Sequence, residues 1–126
     1  MKEIISAANA PAAIGPYSQA IKHEHVVYVS GQLPIDPATG ACSTEDITGQ
    51  TKLAMNNISN ILKAAGSSLD QILMTTILVT DLANFGAVNE TYGSFFEKDA
   101  PARACYQVAA LPKNAEIEIA VVAAAD

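Results

Sequence analysis

PARACYQVAALPKNAEIEIAVVAA, residues 101–124, predicts the last two strands of the fold and the side on which each is buried. In the second strand, at about 115–124, aliphatic residues alternate, and alternate residues of a strand point to opposite faces of its sheet. One face holds Ile117, Ile119, Val121 and Ala123, and the other holds Glu116, Glu118, Ala120, Val122 and Ala124. In the first strand, Arg103 shares a face with Cys105 and Gln107. Both strands therefore suit a core, yet each carries a charged residue.

The rest of the chain supplies four more strands and two helices. We expect strands at 3–5, 17–22, 26–30 and 72–81, before the last two at about 103–109 and 115–124. We expect helices at 44–65 and about 84–97. The element order is β-β-β-α-β-α-β-β, so each helix joins two strands. Such crossovers are right-handed with few exceptions, and both helices can therefore lie on one face of the sheet.

The two helices each carry an apolar stripe with the spacing of three or four residues that buries one helix face. The first stripe contains Ile47, Thr51, Ala54, Met55, Ile58, Ile61, Leu62 and Ala65, and the second contains Phe85, Val88, Tyr92, Phe95 and Phe96. Ser43 with Asp46 predicts a capping pair before the first helix, and Gly66 predicts its end.

The strand at 72–81 is apolar on both of its faces. Ile72 and Leu78 lie on one face, and Leu73, Ile77 and Val79 lie on the other. Two helices can cover only one side of the sheet, and a half-apolar face left in water promotes aggregation. We therefore expect another copy of the chain to cover the second face, in a closed oligomer.

Length and composition favour one domain spanning residues 1–126. Thirteen acidic side chains against seven basic ones give a net charge of −6, which repels nucleic acids and anionic membranes. Cys42 and Cys105 match no metal-ligand or dithiol spacing, and His23 with His25 lacks a third ligand, so we expect no metal. No segment is of the signal-peptide type, and the late apolar run is too short to span a bilayer. These features predict a cytoplasmic protein.

Arg103 is the only arginine of the chain, and Glu118 lies on the next predicted strand. If those strands pair, both side chains share the sheet face turned away from the helices. They then form either a structural ion pair at an oligomer interface or a site that binds a carboxylate and handles water or a proton. Arg103 beside Cys105 favours the thiolate, but no histidine is placed as a base, and a small buried thiol is the simpler interpretation.

Three polar or flexible positions elsewhere are candidates for the same site. In VSGQLP, Gly31 permits close backbone approach and Ser30 offers a hydroxyl, although an ordinary turn explains the pattern equally. Asn89 lies beside the stripe of the second helix, either on the surface or at an interface. No glycine-rich loop of the kind that cradles phosphate is present.

Five segments, in this order along the chain, resemble the Rid family, the YjgF-type reactive intermediate deaminases. They are NAPAAIGPYSQA, VSGQLPIDPATG, NISNILKAAGSSLDQI, TTILVTDLANFGAVNETYGSFF and PARACYQVAALPKNAEIEI. The last is the most specific, because it combines Pro-Ala-Arg with Ile-Glu-Ile at the family's distance. The resemblance therefore covers nearly the whole chain.

The resemblance implies an α+β fold with a single mixed β-sheet and two helices on one face, like that of the small trimeric chorismate mutases. It also implies a homotrimer whose sheets form a central barrel, with a cleft between each pair of subunits. Catalytic members hydrolyse reactive enamines and imines, such as 2-aminoacrylate, 2-iminopropanoate and 2-iminobutanoate, to 2-oxo acids and ammonia. They need no cofactor.

The family's site residues fall on particular positions of this chain. By this resemblance Arg103 binds the substrate carboxylate, and Glu118 orients or activates the attacking water. Cys105 falls on the cleft cysteine, and Tyr17, Ser30, Gly31 and Asn89 fall on cleft-lining positions. Two departures, Met74 in place of a frequent lysine and a short segment at 97–101, bear on the size of substrate.

Two other functions fit the same arginine. The chain could be a non-catalytic binder, or sensor, of small carboxylates. It could also be a translation-inhibiting endoribonuclease, which the net charge of −6 disfavours.

Overall fold

The computed structural model describes residues 1–126, and its six strands form one sheet. In chain order they are β1 Glu3–Ile5, β2 Ala20–His23, β3 Val26–Gln32, β4 Ile72–Val79, β5 Ala102–Gln107 and β6 Ile117–Ala124. Across the sheet they lie in the order β1-β2-β3-β6-β4-β5, and only β4 and β5 pair in parallel. The expected α+β fold with a mixed sheet is confirmed, although the strand predicted at 17–22 begins later, at Ala20.

Helices α1 (Ile47–Ala64) and α2 (Phe85–Gly93) pack on the same face of the sheet, as the sequence predicts. All eight residues of the predicted α1 stripe are buried. On β6 the residues that face the helices are Ile117, Ile119, Val121 and Ala123, and each is at most 3% exposed. Their neighbours along the strand are only partly buried, so the predicted alternation is confirmed.

The ends of α1 are set by a capping side chain and a glycine. Asp46 is the N-cap, and its carboxylate accepts a hydrogen bond from Gly49 N at 2.9 Å. Ser43 lies outside the cap, where its hydroxyl accepts from Glu45 N at 3.0 Å, so its inclusion in the predicted capping pair is wrong. Gly66 ends the helix as predicted, with a φ of +78° that glycine adopts without strain.

Helix α2 ends at Gly93, well before the end of the predicted helix at 84–97. The amides of Phe95 and Phe96 each donate to a carbonyl three residues back, which tightens the chain into a turn. Both aromatic side chains still pack against the core. Val88, Tyr92, Phe95 and Phe96 of the predicted stripe are therefore core residues, the last two on a turn, whereas Phe85 is 39% exposed and its assignment to the buried stripe is wrong.

Strand β4 contains a β-bulge that changes the face of its first residue. Between Ile72 and Met74, β4 advances by two residues while β6 advances by one, so Leu73 is extra. Ile72 is buried under the helices, and its predicted position on the same face as Leu78 is wrong. Leu73 is 53% exposed.

The buried side chain of Gln19 fixes the loop that precedes β2. Its Oε1 accepts from Ala7 N at 2.6 Å, and its Nε2 donates to Pro11 O at 2.7 Å and to Ala7 O at 3.2 Å. A primary amide that satisfies several loop groups gives irregular backbone a defined path. The loop before β2, which carries Tyr17, is therefore held by a buried amide side chain.

Candidate active site

Arg103 lies on β5, at the edge of the sheet, on the face covered by the helices. Its neighbour on β4 is Thr75, which is fully buried. The guanidinium carbon lies 5.4 Å from the ring centroid of Tyr92 and 5.6 Å from that of Phe85, both on α2. These distances are within the range of cation–π attraction, so the arginine is held by aromatic rings.

No carboxylate of the chain neutralises Arg103. The chain has one ion pair, and it joins His23 to Glu24 at 3.9 Å. Arg103 lines an open groove of about 430 Å³ together with Asn89, Tyr92, Gly93, Phe96, Lys98, Asp99, Ala100 and Pro101. Asn89 Oδ1 is buried in the chain without a hydrogen-bond partner. The groove therefore offers an unpaired cation to an anionic ligand, and the buried Asn89 Oδ1 beside it could accept a hydrogen bond only from a donor group.

Glu118 lies on β6, on the opposite face of the sheet. It is opposite Leu78, which in turn is opposite Tyr106 on β5, and Tyr106 is 58% exposed. Burial raises the pKa of the Glu118 carboxyl, because partial removal from water disfavours the charged form. Glu118 is therefore a poorly solvated acid with no cation of its own chain beside it.

Gly31 lies under the carboxyl of Glu118. It is part of a bulge in β3, which advances by three residues from Val29 to Gln32 while β6 advances by two. A Cβ atom on residue 31 would lie 2.7 Å from the Glu118 carboxyl, closer than real Cβ contacts allow. Glycine therefore leaves the Glu118 carboxyl in this position, and any larger residue at 31 would displace it.

Tyr17 and Ser30 lie near Gly31 and differ in exposure and in hydrogen bonding. Ser30 Oγ donates to Ser18 O at 2.6 Å, so its proton is committed within the chain. Tyr17 is 49% exposed and lines a cavity of about 170 Å³ that also includes Gly31 and Leu33. Tyr17 can therefore contact a ligand, whereas Ser30 offers it an acceptor oxygen.

Cys105 is partly buried against the core beneath Arg103. Burial raises the pKa of its thiol, and the nearby guanidinium of Arg103 offsets only part of that effect. Arg103 lowers the pKa of the thiol as expected, but burial outweighs this effect and favours the neutral form. A neutral thiol agrees with the simpler interpretation of a small packing residue.

The sheet face that carries Glu118 is apolar and open. Tyr28 and Tyr106 are 52% and 58% exposed on this face, and Tyr28 lines a shallow depression together with Met74, Ala120 and Val122 among others. The two-sided apolar character predicted from the strand sequences is confirmed. Exposed apolar patches of this kind mark interaction surfaces.

Two classes of site have no support in the geometry of the chain. No group of three or more His, Cys, Asp or Glu side chains is close enough to hold a metal ion. No helix combines the length and apolar character needed to cross a membrane.

Comparison with known proteins shows the family of the chain. A family model described as Endoribonuclease L-PSP matches residues 7–125. The chain belongs to this family, the Rid family. The Rid resemblance stated from the sequence is therefore confirmed.

Relatives and solved structures match over nearly the full length. The 2-iminobutanoate/2-iminopropanoate deaminase of Mus musculus is 44% identical over 98% of this chain and 91% of its own length. The crystal structure of the Rid family protein YyfA of Yersinia pestis is 45% identical with a TM-score of 0.96, covering 98% of this chain and 99% of that one. E. coli TdcF with bound serine is 39% identical with a TM-score of 0.94, covering 98% and 99%.

The residues that the resemblance assigns to the site lie in two separate groups of one chain, and Phe85 and Tyr92 lie beside the first group. We call these groups half-sites. The arginine half-site contains Phe85, Asn89, Tyr92, Arg103 and Cys105, and the glutamate half-site contains Tyr17, Ser30, Gly31 and Glu118. The expected pairing of β5 with β6 is wrong, because β4 lies between them, and Arg103 and Glu118 point to opposite faces. Within one chain they cannot share a ligand.

Three residues next to Arg103 were not recognised from the sequence as part of the site. Phe85 and Tyr92 were assigned to the core stripe of α2, and Thr75 to a buried strand. A usable signal was present, since Phe85, Asn89 and Tyr92 recur at helical spacing and the chain has only one arginine. That signal becomes specific only when β5 is known to lie beneath α2.

Proposed function

We propose that the chain is a hydrolytic deaminase of small 2-imino acids and their enamine tautomers, which it converts to 2-oxo acids and ammonia. The observation that carries this proposal is the unpaired Arg103, the chain's only arginine, in an open groove. Relatives named 2-iminobutanoate/2-iminopropanoate deaminase, from mouse and human, are 44% and 46% identical over 98% of the chain. The whole of residues 1–126 acts as one domain in this proposal.

The active unit is a homotrimer with clefts between its subunits. Each cleft combines the arginine half-site of one copy with the glutamate half-site of the next. Support comes from the separation of Arg103 and Glu118 onto opposite faces, and from the open apolar face that a second copy would cover. Joining the half-sites gives the buried acid a cation and gives the arginine an anionic neighbour.

In this cleft Arg103 binds the carboxylate of the substrate through its planar guanidinium. Serine, the ligand in the E. coli TdcF structure, carries a carboxylate of the same kind. Because cation–π contacts use the π faces of Tyr92 and Phe85, they leave the N–H donors of Arg103 free. The imine carbon of the substrate is then held at a fixed distance from the other side of the cleft.

Glu118 holds the attacking water on that other side. The water oxygen bonds to the imine carbon and one water proton passes to the nitrogen, which gives a carbinolamine. The hydroxyl proton of the carbinolamine then passes to nitrogen as the C–N bond breaks, releasing ammonia and the 2-oxo acid. An imine carbon is already electrophilic, so water needs positioning more than a strong base. Burial raises the pKa of Glu118 in the single chain, and a carboxyl that can hold a proton can also return one to nitrogen or to the enamine carbon, while Arg103 across the cleft opposes that rise.

The remaining cleft residues line the site in this proposal. Cys105 contributes backbone contacts and a small neutral side chain. Tyr17, Ser30, Gly31 and Asn89 contribute surface and hydrogen bonds. The reaction needs no cofactor, and the cytoplasmic location expected from the sequence stays a prediction for cell fractionation to check.

A coupled assay tests the function directly. A serine or threonine dehydratase generates the imine in situ, and formation of the 2-oxo acid is followed with and without the protein. Arg103→Ala should lower kcat/KM by at least about tenfold, the value of a charge-assisted pair. Lys63→Ala, which removes an exposed cation at the end of α1, is the matched control and should change nothing. Equal acceleration by the Arg103→Ala variant would refute the proposal.

A second candidate is a carboxylate binder without turnover, which the bound serine in E. coli TdcF favours. Calorimetry that shows Arg103-dependent binding of 2-oxobutanoate, together with no acceleration in the coupled assay, would select it. The name of the matching family model also raises RNA cleavage. The net charge of −6 opposes RNA binding, and Arg103-dependent cleavage by a nuclease-free sample would be needed to support it.

A further inference from the structure

Tyr92 is held more firmly than a residue that only fills the core. Its side chain is 4% exposed, and its Oη donates a hydrogen bond to Thr75 Oγ1 at 2.8 Å. Its ring also packs against that of Phe96, with centroids 5.0 Å apart. The hydroxyl therefore ties α2 to β4, and the ring has no freedom to move away.

We call the Tyr92–Thr75 hydrogen bond the tether. It ends at Thr75, the residue of β4 that lies beside Arg103. Thr75 and Arg103 are direct neighbours in the parallel β4–β5 pair, and both project toward α2. Arg103 contacts the Tyr92 ring, the Tyr92 hydroxyl bonds to Thr75, and Thr75 lies beside Arg103 in the sheet. These three contacts form a closed ring of interactions. Phe85, the other ring on the guanidinium, has no hydroxyl and is 39% exposed, so it cannot fix the arginine in the same way.

A buried hydroxyl pair is an unusual choice for a position surrounded by apolar residues. Burying two hydroxyl groups costs free energy that their mutual hydrogen bond only about offsets, and Phe opposite Val would fill the same space without that cost. Burial raises the pKa of Tyr92, so the phenol stays neutral and competes with no carboxylate for Arg103. What the pair adds over an apolar core is a fixed position for the ring.

We propose that Tyr92, tethered by Thr75, is a positioning residue that holds the Arg103 guanidinium in the orientation that receives the substrate carboxylate. The proposal rests on the proposed function for its kinetic consequence, but not for its geometry. Pre-oriented donors bind a carboxylate without first losing side-chain entropy, so the tether contributes to binding. Substrate and transition state share the carboxylate, and loss of the tether should therefore raise KM more than it lowers kcat.

The single arginine allows a direct spectroscopic test. In a ¹H–¹⁵N spectrum of the full protein, the Nε–H of Arg103 is the only arginine side-chain signal, so it needs no assignment. The rings of Tyr92 and Phe85 should displace this signal from that of a free arginine. Tyr92→Phe and Thr75→Val remove the tether from either end, and both should shift the signal toward the free value. Tyr92→Leu, which also removes the ring, should shift it furthest.

The kinetic arm uses the same variants. Tyr92→Phe and Thr75→Val should each raise KM by roughly threefold to tenfold with kcat nearly unchanged, and Tyr92→Leu should raise it more. The effect of Tyr92→Leu should shrink in an Arg103→Lys background, because a residue that acts through another is not additive with it. Val88→Ala, a fully buried change on the same helix, controls for loss of stability and should leave KM and the Nε–H signal in place.

The outcomes separate this inference from the proposed function. If the wild-type protein does not accelerate imine hydrolysis, the function fails, while the Nε–H signal and its titration with 2-oxobutanoate still report on Tyr92. If Tyr92→Phe and Thr75→Val leave both the signal and KM as in the wild type, the positioning role is overturned. If Val88→Ala raises KM as much as they do, Tyr92 is a stabilising core residue and nothing more.

Discussion

Mixing two inactive variants tests whether the two half-sites meet between subunits. Arg103→Ala destroys the arginine half-site and leaves the glutamate half-site intact, and Glu118→Ala does the reverse. Each variant alone should be inactive as a homo-oligomer. When the two are unfolded, mixed in equal amounts and refolded together, some clefts receive an intact half from each neighbour.

The recovered fraction follows from the geometry. In the proposed ring, every cleft takes its arginine from one copy and its glutamate from the next, so both must come from the correct variant by chance. The probability is about one-half for each, and about one-quarter of the clefts should be intact, whatever the number of copies in the ring. Because Arg103 and Glu118 lie on opposite faces of the sheet, no cleft can draw both from one chain.

The assay is the coupled dehydratase reaction, run on the mixture and on each variant refolded alone. We expect about a quarter of the wild-type rate from the mixture. Refolded wild-type protein gives the reference rate, and size-exclusion chromatography confirms that all samples have the same oligomeric state. A mixture as inactive as its parents, in samples shown to exchange subunits, would mean that Arg103 and Glu118 work within one chain, and the reasoning from the sheet faces would fail.

Three further predictions concern single residues. Gly31→Ala should displace the Glu118 carboxyl and lower kcat/KM by about tenfold or more with the fold retained. Gly86→Ala is the control and should leave kcat/KM unchanged, because a Cβ there meets no atom within 4 Å. Equal activity of the two variants would contradict the close approach. Cys105→Ser should keep its activity, and alkylation of Cys105 should keep accelerating at pH values where a free thiol has reached its plateau, because only the thiolate reacts and burial raises the pKa of this thiol; a plateau at the same pH as a free thiol would be inconsistent with burial. Gln19→Ala should lower the free energy of unfolding by about 2–4 kcal/mol and expose the loop before β2 to proteolysis, because several loop groups lose their hydrogen-bond partner. Unchanged protease resistance would show that other contacts hold the loop.

Much of the fold was predictable because burial leaves a periodic trace in the sequence. The alternation in β6 and the stripe of α1 identified which residues face the core, and the excess of apolar residues on the second face of the sheet identified a surface that needs a cover. A bulge leaves no such trace. Leu73 is as apolar as Ile72, and only the pairing with β6 shows that one of them is extra.

The arrangement of the site was less predictable than its residues. Strands adjacent in sequence usually pair, so β5 and β6 were expected side by side. The connection between them contains Lys113 and Asn114, both with a φ of 58°, which are uncommon conformations for residues other than glycine. After this turn β6 lies between β3 and β4 rather than beside β5, and no short motif predicts that placement. The resemblance supplied the identity of the residues, but not the face on which each one lies.

The contact between Gly31 and Glu118 has a consequence for how such chains can diverge. A side chain at position 31 and a carboxyl at position 118 compete for the same volume, so a change at one position requires the side chain at the other to shift. A lineage that loses the acid gains room for a larger residue at 31, and a lineage that acquires a larger residue at 31 must shorten or redirect the side chain at 118. Among homologues the two positions should therefore vary together, and a relative with glycine replaced at the first is expected to have lost the acid at the second.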